Sequence, residues 1–275
     1  LFNAFGFKLP KYMHIAQLMR LDGNAKKKLS KRDKGAGLTS YISNGYAPEA
    51  VIEYVLTLLN SNFEDWRRAN PDLPVNEFPF SIKKMSLSGA LFDLVKLADV
   101  SRNVLSRMTA EQIYDRLCNW TQSYDKKFNK VITQNPDYTL SILSIGRGGQ
   151  KPRKDFGLWS EVKPYIGFFF KEYFKITDQP EGEFDKSDIR AVIEEYLNLF
   201  DPGDDKDTWF EKLKTVAEKT GFCPSTKEYK QNPEGWKGHI GDTSMFIRLA
   251  ITGRLNSPDL YTVMQILGGQ DCKNT

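Results

Sequence analysis

Helix start and stop signals recur along nearly the whole chain, and they constrain its fold more than any other feature. Ala47-Pro48 opens one helix, with proline in the tolerant first turn and Val51, Ile52, Val55, Leu58 and Leu59 along one side. Ser88 reads as the cap of the next, followed by Leu91, Phe92, Val95 and Leu97. Thr109 with Gln112 forms a capping-box pattern, and Ile113, Tyr114, Leu117 and Trp120 continue at helical spacing. Asp185 to Phe200 repeats the pattern through Ile189, Val192, Ile193, Tyr196 and Leu197. Asp207 to Gly221 does so again through Trp209, Phe210, Leu213 and Val216, with glycine at the stop. The last helix takes Ser257 as cap, Pro258 as first residue and Gly268 as the residue beyond its end. Alternating strand patterns are scarce, so the predicted class is predominantly all-α.

Three stretches interrupt this rhythm. Asn70 to Phe80 carries three prolines and reads as a loop. Gly146 to Gly157 (GRGGQKPRKDFG) holds four glycines beside a cluster of basic residues and reads as a flexible cationic connector. Phe222 to Gly241 reads as an irregular insertion, and Phe168-Phe169-Phe170 as a core helix. A length of 275 residues suits one large domain or two ordinary ones. No apolar run approaches the roughly 18 residues that a membrane span needs. Cys118, Cys223 and Cys272 suit neither a disulfide frame nor a zinc site, which points to incidental thiols in a reducing cytoplasm. Leu1 is read as a truncation point within a longer protein.

The net charge of +4 permits an anionic partner without demanding one, so the distribution of charge has to decide. It is concentrated in Lys26 to Lys34, KKKLSKRDK, where six of nine residues are basic. An ordinary lysine run is a solvated basic face. Here, however, Asp22-Gly23-Asn24 precedes the run and Lys34-Gly35-Ala36-Gly37 follows it, so the segment reads as a mobile loop between structured pieces. Such a loop can close on a triphosphate and place ammonium groups where charge builds in a transition state.

Lys28-Leu29-Ser30-Lys31-Arg32 resembles the KMSKS signature of class I aminoacyl-tRNA synthetases, in the KLSKR form of the bacterial glutamyl-tRNA synthetase family. Three other segments resemble that family in the same order. They are Pro10 to Ile15 upstream, Ser43 to Ala50 (SNGYAPEA) downstream, and Arg248 to Gly253 with Ser257 to Leu260 near the end. Between about Arg107 and Phe156 helical pattern alone carries the reading.

The resemblance implies the C-terminal part of an enzyme that activates glutamate with ATP and transfers it to tRNA(Glu). Residues 1–106 would close the catalytic domain, carry the KLSKR loop and add a helical stem-contact region. Residues 107–275 would form an all-helical anticodon-binding domain of two subdomains, divided near residue 172. By the same resemblance Lys28 and Lys31 are catalytic, steadying the triphosphate, and Lys28, Leu29, Ser30, Lys31 and Arg32 bind ATP, whose Mg2+ would be held mainly outside this chain. Arg248, Ser257 and Leu260 match positions that contact anticodon bases in the family. Where the family carries an arginine that reads the last anticodon base, counting back from Leu158 to Phe170 reaches Asp155, with Arg153 and Lys154 just before it. That departure leaves charging of tRNA(Gln) open.

A HIGH-type motif on a dinucleotide fold should precede the KLSKR loop in such an enzyme. His239-Ile240-Gly241 is a poor substitute, being followed by Asp242 and lying far downstream, and both His239 and His14 are read as structural. The glutamate pocket and most of the ATP site are therefore expected outside this chain, which alone should be inactive. No metal site is expected within it. Two other readings compete: a non-catalytic helical protein binding nucleic acid through its basic loop, and the family's shorter paralogue that glutamylates a modified base. The matching segments near the end of the chain disfavour both.

Overall fold

A computed structural model describes residues 1–30, 37–85 and 89–268. A short 3-10 turn (Asn3–Phe5) precedes a two-stranded antiparallel hairpin, β1 (Met19–Asp22) and β2 (Ala25–Lys28). Gly23, at φ +61°, takes the first central position of the two-residue turn, which a side chain would strain. Thirteen α-helices follow among the described residues. The first four are α1 (Leu38–Asn44), α2 (Pro48–Leu59), α3 (Phe63–Ala69) and α4 (Leu94–Arg107). Next come α5 (Ala110–Tyr124), α6 (Lys126–Gln134), α7 (Pro136–Ser144) and α8 (Trp159–Ile166). The last five are α9 (Lys186–Leu199), α10 (Lys206–Lys219), α11 (Thr226–Gln231), α12 (Ile240–Thr252) and α13 (Leu260–Leu267). A mostly helical architecture is what the periodicity predicts.

The chain divides into two compact units, Leu1–Arg107 with Lys154–Ser160, and Met108–Arg153 with Glu161–Thr275. In the first, α2 lies against α4 around Tyr41, Tyr54 and Leu97, with Val51, Leu58, Phe92 and Val100 packed on them. Leu97 is fully buried, and burying a side chain of that size contributes about 1.5–3 kcal/mol. Tyr54 combines apolar burial with a polar tip, its hydroxyl accepting the Asp93 amide at 2.6 Å. The Lys154–Ser160 segment is tied in by two bonds. Ser101 Oγ donates to the Gly157 carbonyl at 2.5 Å, and the Trp159 amide donates to the Gly45 carbonyl at 2.9 Å. Gly45, at φ +88°, ends α1; a Cβ there would stand 2.8 Å from the Trp159 nitrogen, so the family-like Asn44-Gly45-Tyr46 turn needs its glycine.

In the second unit α5, α6 and α7 enclose Ile113, Leu117, Phe128, Ile132 and Ile142. The Thr109–Gln112 capping box predicted from sequence is present in both directions. A second layer, α9, α10 and α12, buries Val192, Tyr196, Trp209, Leu213 and Phe246. There the Tyr196 hydroxyl accepts from Trp209 Nε1 at 3.0 Å and donates to Met264 Sδ at 2.9 Å, so two buried polar groups are satisfied together.

Several expectations are corrected. The helix placed after Ser88 starts only at Leu94, because Leu91 and Phe92 run extended beside Met19. Ser88 itself lies outside the described residues. On α2 the buried side is Ala50, Glu53 and Tyr54, while Ile52 and Val55 are exposed; the buried glutamate has two arginine partners that periodicity cannot show. The cap of α13 is Asp259 and not Ser257, since the Asp259 carboxylate accepts the Thr262 amide at 3.1 Å. Likewise Asp205, two residues before Asp207, caps α10. Phe168 and Phe169 sit in a single 3-10 turn (Gly167–Phe169) after α8, and Phe170 follows it extended. The stretch from Phe222 to Gly241 is more ordered than expected, holding α11 and a parallel bridge between Cys223 and His239.

Candidate nucleic-acid interface

The residues singled out in the sequence gather at two cationic sites, one in each unit. The first lies on the hairpin. Asp22 pairs with Ala25 and Met19 with Lys28, so alternation puts Arg20, Asp22 and Lys27 on one face and Met19, Leu21, Lys26 and Lys28 on the other. Lys26, Lys27 and Lys28 therefore belong to a strand, correcting the expectation that they sit in a loop. Lys27 donates to Asp22, the hairpin's one carboxylate, and that contact with the nearby charges of Lys27 and Arg20 holds the Asp22 carboxyl below its usual range. Lys26 and Lys28 point away from that carboxylate and are exposed. The pleat thus separates one neutralised lysine from two available ones. Leu29 continues the pairing, its amide donating to the Leu18 carbonyl at 2.9 Å; it is half-buried and Ser30 exposed. Lys31 and Arg32 lie outside the described residues.

The second site is built on the last turn of α12. Arg248 Nη1 donates to the Ser257 hydroxyl and, at 3.1 Å, to the Pro258 carbonyl. The Ser257 hydroxyl in turn donates to the Pro258 carbonyl at 3.0 Å. Half-burial lowers the guanidinium's pKa, and the charge of Arg153 lowers it further, partly offset by Asp259. Tyr165, from α8, completes the group. A pair of guanidiniums that repel each other, one of them locked by hydrogen bonds, suits a ligand rich in acceptors.

Arg153 is exposed, and its side chain packs where a Cβ on Gly146, at φ +70°, would stand, which explains a glycine there. Ser257 and Leu260 are each 4% exposed. Their side chains support the site from within: Ser257 orients Arg248, and Leu260 packs at the start of α13. Lys154 belongs to the first unit, where it lines a cavity with Arg67 and Arg107. Nothing in the sequence spacing of Glu53, Arg67 and Arg107 marks them as neighbours, so that cavity is visible only in the fold. His239 caps α12 through its Nδ1, which accepts the Gly241 amide at 3.0 Å, and Asp242 completes a capping box. That is the structural role expected of it. His14 is exposed. Among the described residues no three His, Cys, Asp or Glu side chains converge as a metal site would require. No helix among them is long and apolar enough to cross a membrane.

No protein-family model matches the chain. It is 47% identical over 98% of its length to a glutamate–tRNA ligase of Acetivibrio thermocellus, covering 49% of that protein. A glutamate–tRNA ligase of Clostridium perfringens is 42% identical over 98% of the chain, covering 50% of the relative. The chain thus spans about half the length of the curated relatives it matches. Among solved structures, a glutamate tRNA ligase from Elizabethkingia meningosepticum, in complex with its amino acid, shares the fold at a TM-score of 0.60. That match, at 19% identity, covers 99% of this chain and 52% of the other.

Proposed function

This chain belongs to the glutamate–tRNA ligase family, and on that premise we propose that it is the tRNA-binding, C-terminal part of an enzyme that charges tRNA(Glu). The observation that carries the reading is identity of 47% running through 98% of the chain, which takes in the KLSKR segment and both arginines of the second site. A generic basic helical protein would have no reason to match so far from its basic segment.

One cationic site in each unit supports a division of labour: residues 1–106 end the catalytic domain and reach the tRNA stem, and residues 107–275, apart from the Lys154–Ser160 segment that packs with the first unit, hold the anticodon. ATP, with Mg2+, supplies the phosphoanhydride whose cleavage drives glutamate activation. The exposed, unneutralised face of the hairpin fits a triphosphate: Lys28, with Leu29, Ser30, Lys31 and Arg32 after it, binds and orients the phosphates. Lys31 and Lys28 offset the charge that moves toward pyrophosphate. Glutamate itself is recognised elsewhere in the enzyme, which works in the cytoplasm, where translation proceeds.

At the second site an anticodon base, unstacked from its neighbours, offers edge acceptors to Arg248, while Arg153 serves the base or its phosphate. Arg248, preset by Ser257 and Pro258, loses little entropy on binding. Asp155 stands where the family carries an arginine, so the proposal extends to tRNA(Gln) as a second partner. The test compares Arg248→Ala with the parent on tRNA(Glu) and on anticodon variants of it. Base reading predicts that discrimination worth about 1–3 kcal/mol disappears while non-cognate affinity holds. An equal loss on every variant would reduce Arg248 to a phosphate contact.

A further inference from the structure

The first unit holds a cavity of about 410 Å³ walled by α2, α3 and α4, with Lys154 also in its lining. The wall carries five cationic side chains, from Arg67, Arg68, Lys96, Arg107 and Lys154, against three carboxylates. Two pairings are simple: Lys96 Nζ donates to Glu64 at 2.6 Å, and Arg68 Nη1 donates to Asp65, which stands outside the lining, at 3.2 Å. The third is unequal. Glu53 Oε1 accepts from Arg67 Nη2 at 2.9 Å and from Arg107 Nη2 at 2.7 Å, so a single carboxylate answers two guanidiniums. All three groups are largely removed from water, with side-chain exposures of 6% for Glu53, 12% for Arg67 and 21% for Arg107.

Arg67 is also held in place. Its Nη1 donates to the carbonyls of Asn70 at 2.9 Å and Leu73 at 2.7 Å, and its guanidinium carbon lies 4.8 Å from the Trp66 ring centroid. Its Nε is buried and has no hydrogen-bond partner among the described residues. Burial depresses its pKa; Glu53 opposes the shift and the charge of Arg107 adds to it. Two preset, largely desolvated guanidiniums that share one carboxylate gain most from a compact anion of high charge.

We propose that this cavity binds a phosphate group, carried by free inorganic phosphate or by a nucleic-acid backbone. The backbone source rests on the tRNA-binding reading above, and the free-phosphate source does not. Removing Arg67 or Arg107 would leave Glu53 undercompensated and confuse binding with folding. The test therefore uses R68Q/K154Q, which alters two exposed cations of the wall outside the Glu53 group.

Calorimetry titrates inorganic phosphate into the chain at constant ionic strength, with chloride as the control anion, and fluorescence anisotropy measures tRNA(Glu) affinity for the same two proteins. The expected result is saturable phosphate binding by the parent, weakened about tenfold in R68Q/K154Q, with the ligand-free melting midpoint unchanged. Release of bound phosphate by tRNA(Glu) identifies the backbone as the source, and retention of phosphate in the tRNA complex identifies free phosphate. A loss of tRNA affinity in R68Q/K154Q without phosphate binding by the parent also assigns the cavity to the backbone. Phosphate binding indifferent to both substitutions overturns the proposal. So does the absence of phosphate binding together with unchanged tRNA affinity, an outcome that leaves the tRNA reading intact. Phosphate binding without any tRNA binding does the reverse.

Discussion

Replacing Glu53 by alanine tests whether the first unit depends on its shared carboxylate. The change strands two guanidiniums that are 12% and 21% exposed beside each other, with their common acceptor gone. Breaking a buried ion pair from one side costs about 3–5 kcal/mol. The lower end applies here, because Arg67 keeps its carbonyl acceptors and its stacking on Trp66, and Arg107 reaches solvent. A loss of about 3 kcal/mol, with a urea slope of about 1.5 kcal/mol/M, moves the midpoint of this unit's transition down by about 2 M. Glu53→Gln keeps an acceptor oxygen without the charge and should lose about half as much. Urea titration followed by tryptophan fluorescence reads the effect through Trp66, and the Glu53→Ala/Arg107→Met double variant completes a cycle. If the charges are coupled as the geometry requires, the double variant regains part of what Glu53→Ala loses. A shift below about 0.5 kcal/mol, or strict additivity in the cycle, would refute the shared-carboxylate argument.

Other consequences are as direct. Gly253, at φ +69°, has the Lys175 carbonyl 2.3 Å from where a Cβ would stand, so Gly253→Ala should destabilise the second unit by about 3 kcal/mol in thermal unfolding. Burial alone would raise the Asp125 pKa, but Lys163 and the Phe128 amide together hold it below the usual value. The stability it contributes is therefore present above the unfolded carboxylate pKa and lost as pH falls through the lower folded one. Asp125→Asn, which can still cap α6, should flatten the acid limb of a stability–pH profile while leaving the helix formed. In the full-length enzyme to which we assign the chain, Lys31→Ala should slow adenylate formation about a hundredfold in single-turnover assays. An effect confined to ATP affinity would deny it a transition-state role.

Much of the helical frame was legible because its signals are local. The Thr109–Gln112 box, Pro48 in the first turn of α2 and Gly268 after α13 depend on neighbours within a few residues. What the sequence concealed was non-local. Leu91 and Phe92 are helical by spacing, yet Met19, far away in sequence, draws them into an extended pairing. Ser257 satisfies every local rule for a cap, but its hydroxyl is taken by Arg248 and Pro258, and the task falls to Asp259. Ile52 and Val55 read as core, whereas α2 turns Glu53 inward to meet two arginines. The candidate sites divide in the same way. A motif in contiguous residues marked Lys28, but which hairpin lysine is neutralised depends on pairing register. Family likeness pointed to Arg248, while its approach to Arg153 is tertiary.

In the proposed function this chain grips tRNA and reads its anticodon. Fluorescence anisotropy of the chain with tRNA(Glu), and with the same tRNA carrying a changed anticodon, tests it most directly at fixed, stated salt. Binding to tRNA(Glu) should saturate, and should weaken about tenfold or more with a single anticodon change and further with rising salt. Equal affinity for every anticodon, or no saturable binding at low salt, would contradict it.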